Sequence, residues 1–312
     1  MKSVFRLSST TVLDRRGFHM KLIGVYPAMA TPLTHDEKVD KTSLRKLVHY
    51  LIDGGVYGIL VLGSTGEFPA MTESMRQEVI ETALDEVNGK VPVLIGCGEP
   101  GTHRTIEQVK AASKTKADGV LVALPYYFPL GQDAVIRHYE MIAEASTLPV
   151  VVYNFPQMTK ITIAPDTLTK LAAHKNIIGV KDSSGDFFGL QRYIEVTAST
   201  DFSVMSGNPA LGLAAYQAGA KGGIYAGCSL FPKQCVDCYT AFIKNDIVAA
   251  IALQKKLSLI PLMSGFGPNA AVIKFGLSKL GVCGPTVTAP ICLPTGQEEK
   301  ILDWMRRVGI AI

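Results

Sequence analysis

The chain has 312 residues, of which 47% are hydrophobic and 19% are charged, and its formal net charge is +4. These values predict a large folded core and argue against a nucleic-acid-binding protein, because no stretch combines dense lysine and arginine with aromatic residues. The apolar runs, such as residues 247–253, are shorter than a bilayer requires, so we expect no membrane partner.

The first nineteen residues differ from the rest of the chain. They are rich in serine and threonine and carry four basic side chains against one acidic side chain. They contain no apolar stretch long enough for a secretory signal. We interpret residues 1–19 as an extension outside the fold, upstream of a start at Met20, which predicts a cytoplasmic protein. The alternative is a transit peptide, which would direct the protein to the mitochondrial matrix.

From residue 22 onward, short β-branched runs alternate with longer helical patterns. The predicted strands span residues 22–26, 58–62, 91–96, 119–124, 150–154, 177–181, 202–206 and 222–226. Helices are predicted between them at residues 44–52, 73–87, 134–145, 168–173 and 211–218, with a further helix opening at Thr102. The strands are almost wholly apolar, as expected when both faces are buried. No glycine-rich dinucleotide motif follows the first strand. The pattern therefore predicts an α/β fold, a (β/α)8 TIM barrel over residues 20–226.

The last part of the chain, residues 227–312, has no strand pattern. Four helices are predicted there, at residues 231–244, 246–260, 269–280 and 297–308, and we expect them to pack on the barrel as a C-terminal helical extension. Cys235 and Cys238 are the one close pair among six scattered cysteines. Their i, i+3 spacing on a helix, with no second pair nearby, favours buried thiols over a metal site.

Lys181 ends the sixth predicted strand and precedes a small polar loop, residues 182–186. Burial disfavours the charged form of a lysine and leaves a neutral amine that can attack a carbonyl carbon. The alternative is a strand-end lysine whose ammonium reaches solvent. Because side chains alternate along a strand and neighbouring strands lie about 4.8 Å apart, Tyr153 at the end of the preceding strand is expected beside Lys181. A phenol next to an amine suits proton transfer.

Two loops after predicted strands also carry candidate chemistry. The sequence GSTGE at residues 63–67 combines small residues, two hydroxyls and backbone N–H groups before a helix, which suits a bound carboxylate. A tight turn without a ligand is the alternative. The sequence PYYF at residues 125–128 places three aromatic side chains at the barrel rim, which favours packing or subunit contact over catalysis.

Four motifs, GSTGE at 63–67, PYY at 125–127, YNFP at 153–156 and GVKD at 179–182, resemble the dihydrodipicolinate synthase / N-acetylneuraminate lyase family. The resemblance runs in order over about residues 21–310. It implies an enzyme, a class I aldolase or lyase that forms a Schiff base with pyruvate or another 2-oxo acid. The iminium is then the electron sink, so that no cofactor and no metal are needed.

The resemblance also implies catalytic roles for individual residues. Lys181 would form the imine, and Tyr153 would carry protons during imine formation and carbon–carbon bond making or breaking. Ser64 and Thr65 would bind the substrate's carboxylate, with Ser64 also relaying protons. Tyr127 would reach across a dimer interface into a neighbouring site, which goes with the homotetramer, a dimer of dimers, that is usual in the family.

Positions around the substrate decide the subclass. By the same resemblance, Gly207 and Ile224 would line the pyruvate pocket. Synthases of the lysine pathway usually carry an arginine where this chain has Met158, and a thioether cannot make the bidentate ion pair of an arginine. Lys160 occupies a position that is commonly glycine and is the nearest substitute. Ser183 is expected to bind a substrate hydroxyl or carboxylate.

The residues 63–69 and 181–186 look most like those of the 4-hydroxy-2-oxoglutarate and 2-keto-3-deoxy-sugar-acid aldolases. The sequence therefore predicts a pyruvate-dependent aldolase that makes or cleaves a 2-oxo-4-hydroxy acid. The first alternative is a dihydrodipicolinate synthase, which condenses pyruvate with aspartate semialdehyde. Further alternatives are a keto-deoxy acid dehydratase, an N-acetylneuraminate lyase, disfavoured by Asn208 where acidic residues are usual, and a non-catalytic barrel that binds 2-oxo acids.

Overall fold

The structure, a computed structural model, describes residues 20–312, so the predicted extension at residues 1–19 lies outside the described residues. The eight predicted strands are confirmed, and their ends differ from the prediction by at most two residues. They are β1 Gly24–Pro27, β2 Ile59–Val61, β3 Val93–Cys97, β4 Gly119–Ala123, β5 Val150–Asn154, β6 Ile177–Asp182, β7 Ser203–Ser206 and β8 Gly222–Tyr225.

All the strands pair in parallel, in the order β1-β8-β7-β6-β5-β4-β3-β2. The two ends of this sheet meet at a parallel bridge between Ala28 and Leu60, where the Met29 N–H donates to the Leu60 carbonyl at 2.8 Å. The strands thus form the nearly closed barrel of a (β/α)8 fold, as predicted. Every residue of β4 and β5 is buried, because the barrel interior covers one face and the helices cover the other.

Helices alternate with the strands around the barrel. They are α1 Lys41–Asp53, α2 Glu73–Val87, α3 Thr102–Ala112, α4 Gln132–Ala145, α5 Pro156–Thr159, α6 Pro165–Ala172, α7 Phe187–Val196 and α8 Gly212–Ala218. Neither α5, a single turn, nor α7 was predicted from the sequence. Helix α7 has a weak start, since Asp186 makes no side-chain capping bond and Gly189 lies in its first turn. A well-capped start, such as Thr72 accepting from the Met75 N–H at 3.3 Å before α2, is easier to recognise.

The C-terminal segment is helical, as predicted, with α9 Pro232–Ile243, α10 Ile247–Leu257, α11 Asn269–Lys279 and α12 Glu298–Val308. The predicted helix at 246–260 ends early, at Leu257, and a separate 3-10 turn, Ile260–Gly265, follows. By length and composition alone, the stretch Ile247–Gly265 has the hydropathy of a membrane-spanning helix, with a mean of 1.4. Helices in the cores of soluble proteins can have the same length and hydropathy, so this is weak evidence for a membrane span. Within the stretch, 22% of the most apolar window is buried against the rest of the protein, and Ile260 and Met263 are among the buried residues.

Candidate active site

A cavity of about 870 Å³ opens at the carboxyl ends of the strands. Its floor is formed by residues at the ends of β5 and β6 and in the loops after β2 and β7, and its outer wall includes residues of the C-terminal segment. The volume lies within the range of small-molecule sites in proteins. In TIM barrels this end of the barrel carries the chemistry.

Lys181 lies on the floor of this cavity, near the end of β6. It is paired in register with Tyr153 on β5, and both residues line the cavity. The residue is only 4% exposed. Its Nζ lies 4.3 Å from the centroid of the Tyr153 ring, and within the described residues it forms no salt bridge. The amine is therefore enclosed, without a carboxylate partner, and faces a volume that a ligand can enter.

Tyr153 presents its hydroxyl to the same floor. The Ser183 hydroxyl donates to the Tyr153 Oη at 3.4 Å, and the Tyr153 ring stacks on Phe155 with centroids 5.5 Å apart. Tyr153 is buried and has little freedom to turn. A phenol, a serine hydroxyl and a lysine amine thus meet at one point of the cavity, which is a suitable set for moving protons around a reacting carbonyl group.

Asp182, the next residue along β6, points to the opposite face of the strand. Its Oδ1 accepts from the Asn154 Nδ2 at 2.7 Å, and its Oδ2 accepts from the Ser184 hydroxyl at 2.8 Å. Burial raises the pKa of Asp182 above its ordinary value, although these hydrogen bonds act in the other direction. Asp182 therefore joins the ends of β5 and β6 and orders the loop that carries Ser183, without facing the cavity.

Gly207 follows β7 where two strand ends come very close. Its N–H donates to the Asp182 carbonyl at 2.6 Å. A Cβ at this position would lie 2.0 Å from the Ser183 Oγ and 2.8 Å from the Asp182 carbonyl oxygen. Only glycine fits, and the result is an open floor beside Lys181 and Ser183.

The loop after β2 forms another part of the floor through a short 3-10 turn, Ser64–Gly66. Ser64 and Thr65 both line the cavity. The N–H groups at the start of such a turn have no acceptor inside it, so they are free to face a ligand. The Thr31 hydroxyl donates to the Gly66 carbonyl at 2.9 Å and fixes the end of the turn. Hydroxyl and N–H donors on a fixed turn suit a bound carboxylate.

Glu67, directly after this turn, belongs to a buried ionic cluster. It has a left-handed backbone, with φ of 61°, and its side chain is fully buried beside the ammonium of Lys274 on α11. Its Oε2 accepts from the N–H and the hydroxyl of Thr288, at 2.7 and 2.8 Å. The Lys274 Nζ also donates to the Thr286 carbonyl at 2.7 Å. Burial lowers the pKa of Lys274, an effect that the Glu67 carboxylate opposes. This cluster anchors the loop that carries Ser64 and Thr65 to the C-terminal segment.

Comparison with known proteins gives the same picture. The model of the dihydrodipicolinate synthetase family matches residues 21–303. A 4-hydroxy-tetrahydrodipicolinate synthase from Methanospirillum hungatei is 36% identical over 270 residues, which cover 86% of this chain and 92% of that protein. The chain belongs to the dihydrodipicolinate synthetase family. Members of the family are class I aldolases and lyases, so this chain is an enzyme that makes or breaks carbon–carbon bonds.

Other relatives within the family carry different names. A probable 2-dehydro-3-deoxy-D-pentonate aldolase from Escherichia coli, YjhH, is 33% identical over 284 residues, 90% of this chain and 94% of that protein. YagE, a prophage protein of the family from Escherichia coli K12 solved in complex with pyruvate, aligns with a TM-score of 0.89. It is 30% identical, and the alignment covers 93% of this chain and 99% of YagE. The family thus includes both synthases and sugar-acid aldolases at similar distances from this chain.

Most of the predicted site residues lie together in the cavity. Those that line it are Lys181, Tyr153, Ser64, Thr65, Ser183 and Gly207. Tyr127 lies outside: it is 78% exposed and meets Phe128 edge to face, whereas its neighbour Tyr126 lines the cavity. Ile224 is fully buried within β8 and is not part of the cavity wall, where Ala226 is the residue that follows this strand.

The two residues that bear on the subclass also have clear positions. Met158 lines the outer cavity and is 62% exposed. Lys160 adopts a left-handed backbone at the end of α5, and its Nζ donates to the Gln157 carbonyl at 2.9 Å. It is not part of the cavity wall, so it does not supply a cation there.

The contribution of the C-terminal segment to the cavity was not predicted from the sequence. Ile260, Met263, Ser264, Asn269 and Ile291 all line the outer cavity. No role was predicted for Lys274 or Thr288, which hold Glu67. One sequence feature points to Lys274, which is the only ionisable residue in the apolar stretch at residues 270–277. Lysine is almost never fully buried unless it is paired, so a lysine in such a stretch predicts a buried partner.

Proposed function

We propose that this enzyme cleaves a 2-oxo-4-hydroxy acid to pyruvate and an aldehyde, or joins the two, through a Schiff base on Lys181. The observation that carries most weight is the enclosed Lys181 amine. It has no acidic partner among the described residues and lies against Tyr153, at a cavity that opens at the catalytic end of the barrel.

The chemistry follows from these positions. The amine of Lys181 attacks the 2-oxo carbon, and loss of water gives an iminium. A base removes the proton of the 4-hydroxyl, the C3–C4 bond breaks, and its electron pair passes to the iminium to give an enamine and a free aldehyde. Protonation of the enamine at C3 and addition of water release pyruvate and restore the amine. Tyr153, bonded to Ser183, is placed to carry these protons, and the Ser64–Thr65 turn to hold the carboxylate.

Trapping with borohydride tests the proposal. Reduction in the presence of saturating pyruvate should fix a three-carbon acid on the peptide that contains Lys181, and mass spectrometry of the digest would detect it. Without pyruvate the same peptide should stay unmodified. An unmodified Lys181 peptide at saturating pyruvate would end the proposal.

A dihydrodipicolinate synthase is the second candidate, and the observation in its favour is the 36% identity to a protein of that name. It requires a group that binds the carboxylate of aspartate semialdehyde. Met158 occupies the position where such synthases usually carry an arginine, and Lys160 is turned to a backbone carbonyl. Turnover of aspartate semialdehyde at a rate above that of keto-deoxy acids would favour this candidate.

We further propose a homotetramer in which Tyr127 completes a neighbouring site. The exposed position of Tyr127 beside the cavity mouth supports this role. Sedimentation of the purified protein should give a species four times the mass of the chain, and Tyr127→Ala should lower turnover. A monomer with full activity would exclude the role. The cytoplasmic location stays a prediction from the sequence.

A further inference from the structure

The outer half of the cavity, where the aldehyde part of a substrate lies, has a distinctive charge pattern. The pyruvate-derived part must reach Lys181, so the remaining carbons extend towards the outer wall. That wall combines apolar side chains with uncharged polar ones. The apolar ones are Phe68, Phe155, Met158, Ile260, Met263 and Ile291, and the polar ones are Gln157, Ser184, Asn208, Ser264 and Asn269.

Among the described residues that line the cavity, Lys181 is the only lysine or arginine and Glu67 is the only aspartate or glutamate, and none is a histidine. Lys181 is the residue that forms the imine. Glu67 is neutralised by Lys274 and receives both hydrogen bonds of Thr288. Neither is available to a charged group on the aldehyde part.

Behind the wall, two arginines share one carboxylate. Arg76, whose guanidinium lies 6.0 Å from the centre of the Phe68 ring, binds Glu99 at 2.8 Å. Arg104 binds the same carboxylate at 3.3 Å. Lys160 donates to a backbone carbonyl, as described above. Among the described residues that line the cavity, none therefore offers a second carboxylate a cation other than Lys181, or offers an ammonium group an anion other than Glu67.

An ionised group that leaves water needs a partner, because desolvation without one is costly. We infer that the aldehyde half of the natural substrate is uncharged, so that the whole substrate carries one negative charge, on its pyruvate-derived end. This inference rests on the proposed function, and it names the substrate class of the same site. It excludes glyoxylate and aspartate semialdehyde as preferred partners and favours sugar-like or other neutral aldehydes, whose hydroxyls the uncharged polar side chains can bind.

Matched pairs of aldehydes test the inference in the condensation direction. Glycolaldehyde and glyoxylate differ in a CH2OH group against a carboxylate, and 4-hydroxybutanal and succinate semialdehyde differ in the same way. With pyruvate saturating, the full-length enzyme should use the uncharged member of each pair with a kcat/KM at least about tenfold higher, which corresponds to about 1.4 kcal/mol.

A charge placed in the wall sharpens the test. Met158→Arg should shift the ratio of efficiencies towards the carboxylated members by at least about tenfold, since it supplies a charge-assisted bond. Met158→Gln, of similar length but without charge, is the matched control and should leave the ratio within about twofold of the parent. A parent enzyme that forms the trapped Lys181 adduct yet prefers the carboxylated aldehydes would overturn the inference while leaving the proposed function intact. Failure to trap Lys181 at all would remove both.

Discussion

Two lysines are buried in this barrel, and they have opposite surroundings. Lys274 has a side chain that is 0% exposed, sits against the Glu67 carboxylate and donates to a backbone carbonyl. Lys181 is 4% exposed, has no acidic partner among the described residues and lies over an aromatic ring at a cavity. Burial alone therefore does not define a reactive lysine. The difference lies in what the nitrogen faces: the Lys274 nitrogen is paired with a carboxylate in a structural cluster, and the Lys181 nitrogen is left open to a substrate.

The largest effect is expected at Lys181. Lys181→Arg keeps a long basic side chain but removes the primary amine, so kcat for pyruvate release should fall by at least about ten-thousandfold, as it does when a covalent nucleophile is lost. The measurement is release of pyruvate from a keto-deoxy acid, with circular dichroism as the check on folding. Activity within about tenfold of the parent enzyme would mean that this amine is not the nucleophile.

Tyr153→Phe tests the role of the phenol hydroxyl beside Lys181. The change keeps the ring under the amine and removes only the hydroxyl, so kcat should fall by about a hundredfold to ten-thousandfold. Borohydride trapping of pyruvate should become slower but still reach Lys181. Tyr50→Phe is the control, because the Tyr50 hydroxyl donates to the Leu230 carbonyl at 2.7 Å, away from the cavity. Equal activities of the two variants would deny Tyr153 a role in proton transfer.

Lys274→Met tests the other side of the comparison. It leaves the Glu67 carboxylate buried without its cation, which should lower the free energy of unfolding by about 3–5 kcal/mol. Urea unfolding followed by fluorescence or circular dichroism measures this. The KM for pyruvate should rise as well, because Glu67 directly follows the turn that carries Ser64 and Thr65.

The double variant Glu67→Gln/Lys274→Met is the matched control for that prediction. It removes both charges and keeps an acceptor for Thr288, so most of the stability lost in Lys274→Met should return. If the single and double variants were equally unstable, the loss would come from packing of the lysine stem and not from the ion pair.

The smallest effect on stability is expected at His138. This residue is a buried base that has no ion pair among the described residues. It is 2% exposed, and its Nδ1 is 2.9 Å from the Thr102 hydroxyl, while its Nε2 has no hydrogen-bond partner among the described residues. Burial lowers the pKa of His138 from 6.5 to about 4. Above pH 6.5 the side chain is neutral whether the chain is folded or not. Between pH 6.5 and about 4 the unfolded chain binds a proton that the folded chain refuses, so stability falls by up to about 3 kcal/mol.

Urea unfolding at several pH values checks this prediction. His138→Gln should flatten the pH dependence of the free energy of unfolding over that window, and His35→Gln, at an exposed position, should not. An unchanged slope in the His138 variant would assign the acid sensitivity to other groups.

The sequence was most informative where one local rule governs a position. Apolar runs and their regular spacing predicted all eight strands of the barrel, and strand alternation placed Tyr153 beside Lys181. Helix α7 was missed, and Gly189 in its first turn weakens the local signal for a helix there. In the parallel pair β5 and β6, Tyr153 and Lys181 lie opposite each other in register, which confirms that they are neighbours.

The rest of the site depends on contacts that no short motif contains. Glu67 and Thr288 are separated by 221 positions in the chain, and their hydrogen bonds exist only once α11 is docked. The outer wall of the cavity combines loops after several strands with residues from Ile260 onward. Its composition of apolar and uncharged polar side chains is therefore a property of the folded surface. Ile224, a position assigned by resemblance, lies buried inside β8, and Ala226, beyond the end of this strand, lines the cavity.

The anchor of the carboxylate loop at Lys274 and Thr288 has a consequence for how the enzyme comes into being. On the ribosome, all eight strands have been synthesised once Tyr225 is made, whereas the residues that clamp Glu67 are added much later. A nascent chain that has made its eight strands therefore still lacks the anchor of this loop, which is complete only after Thr288 has been added.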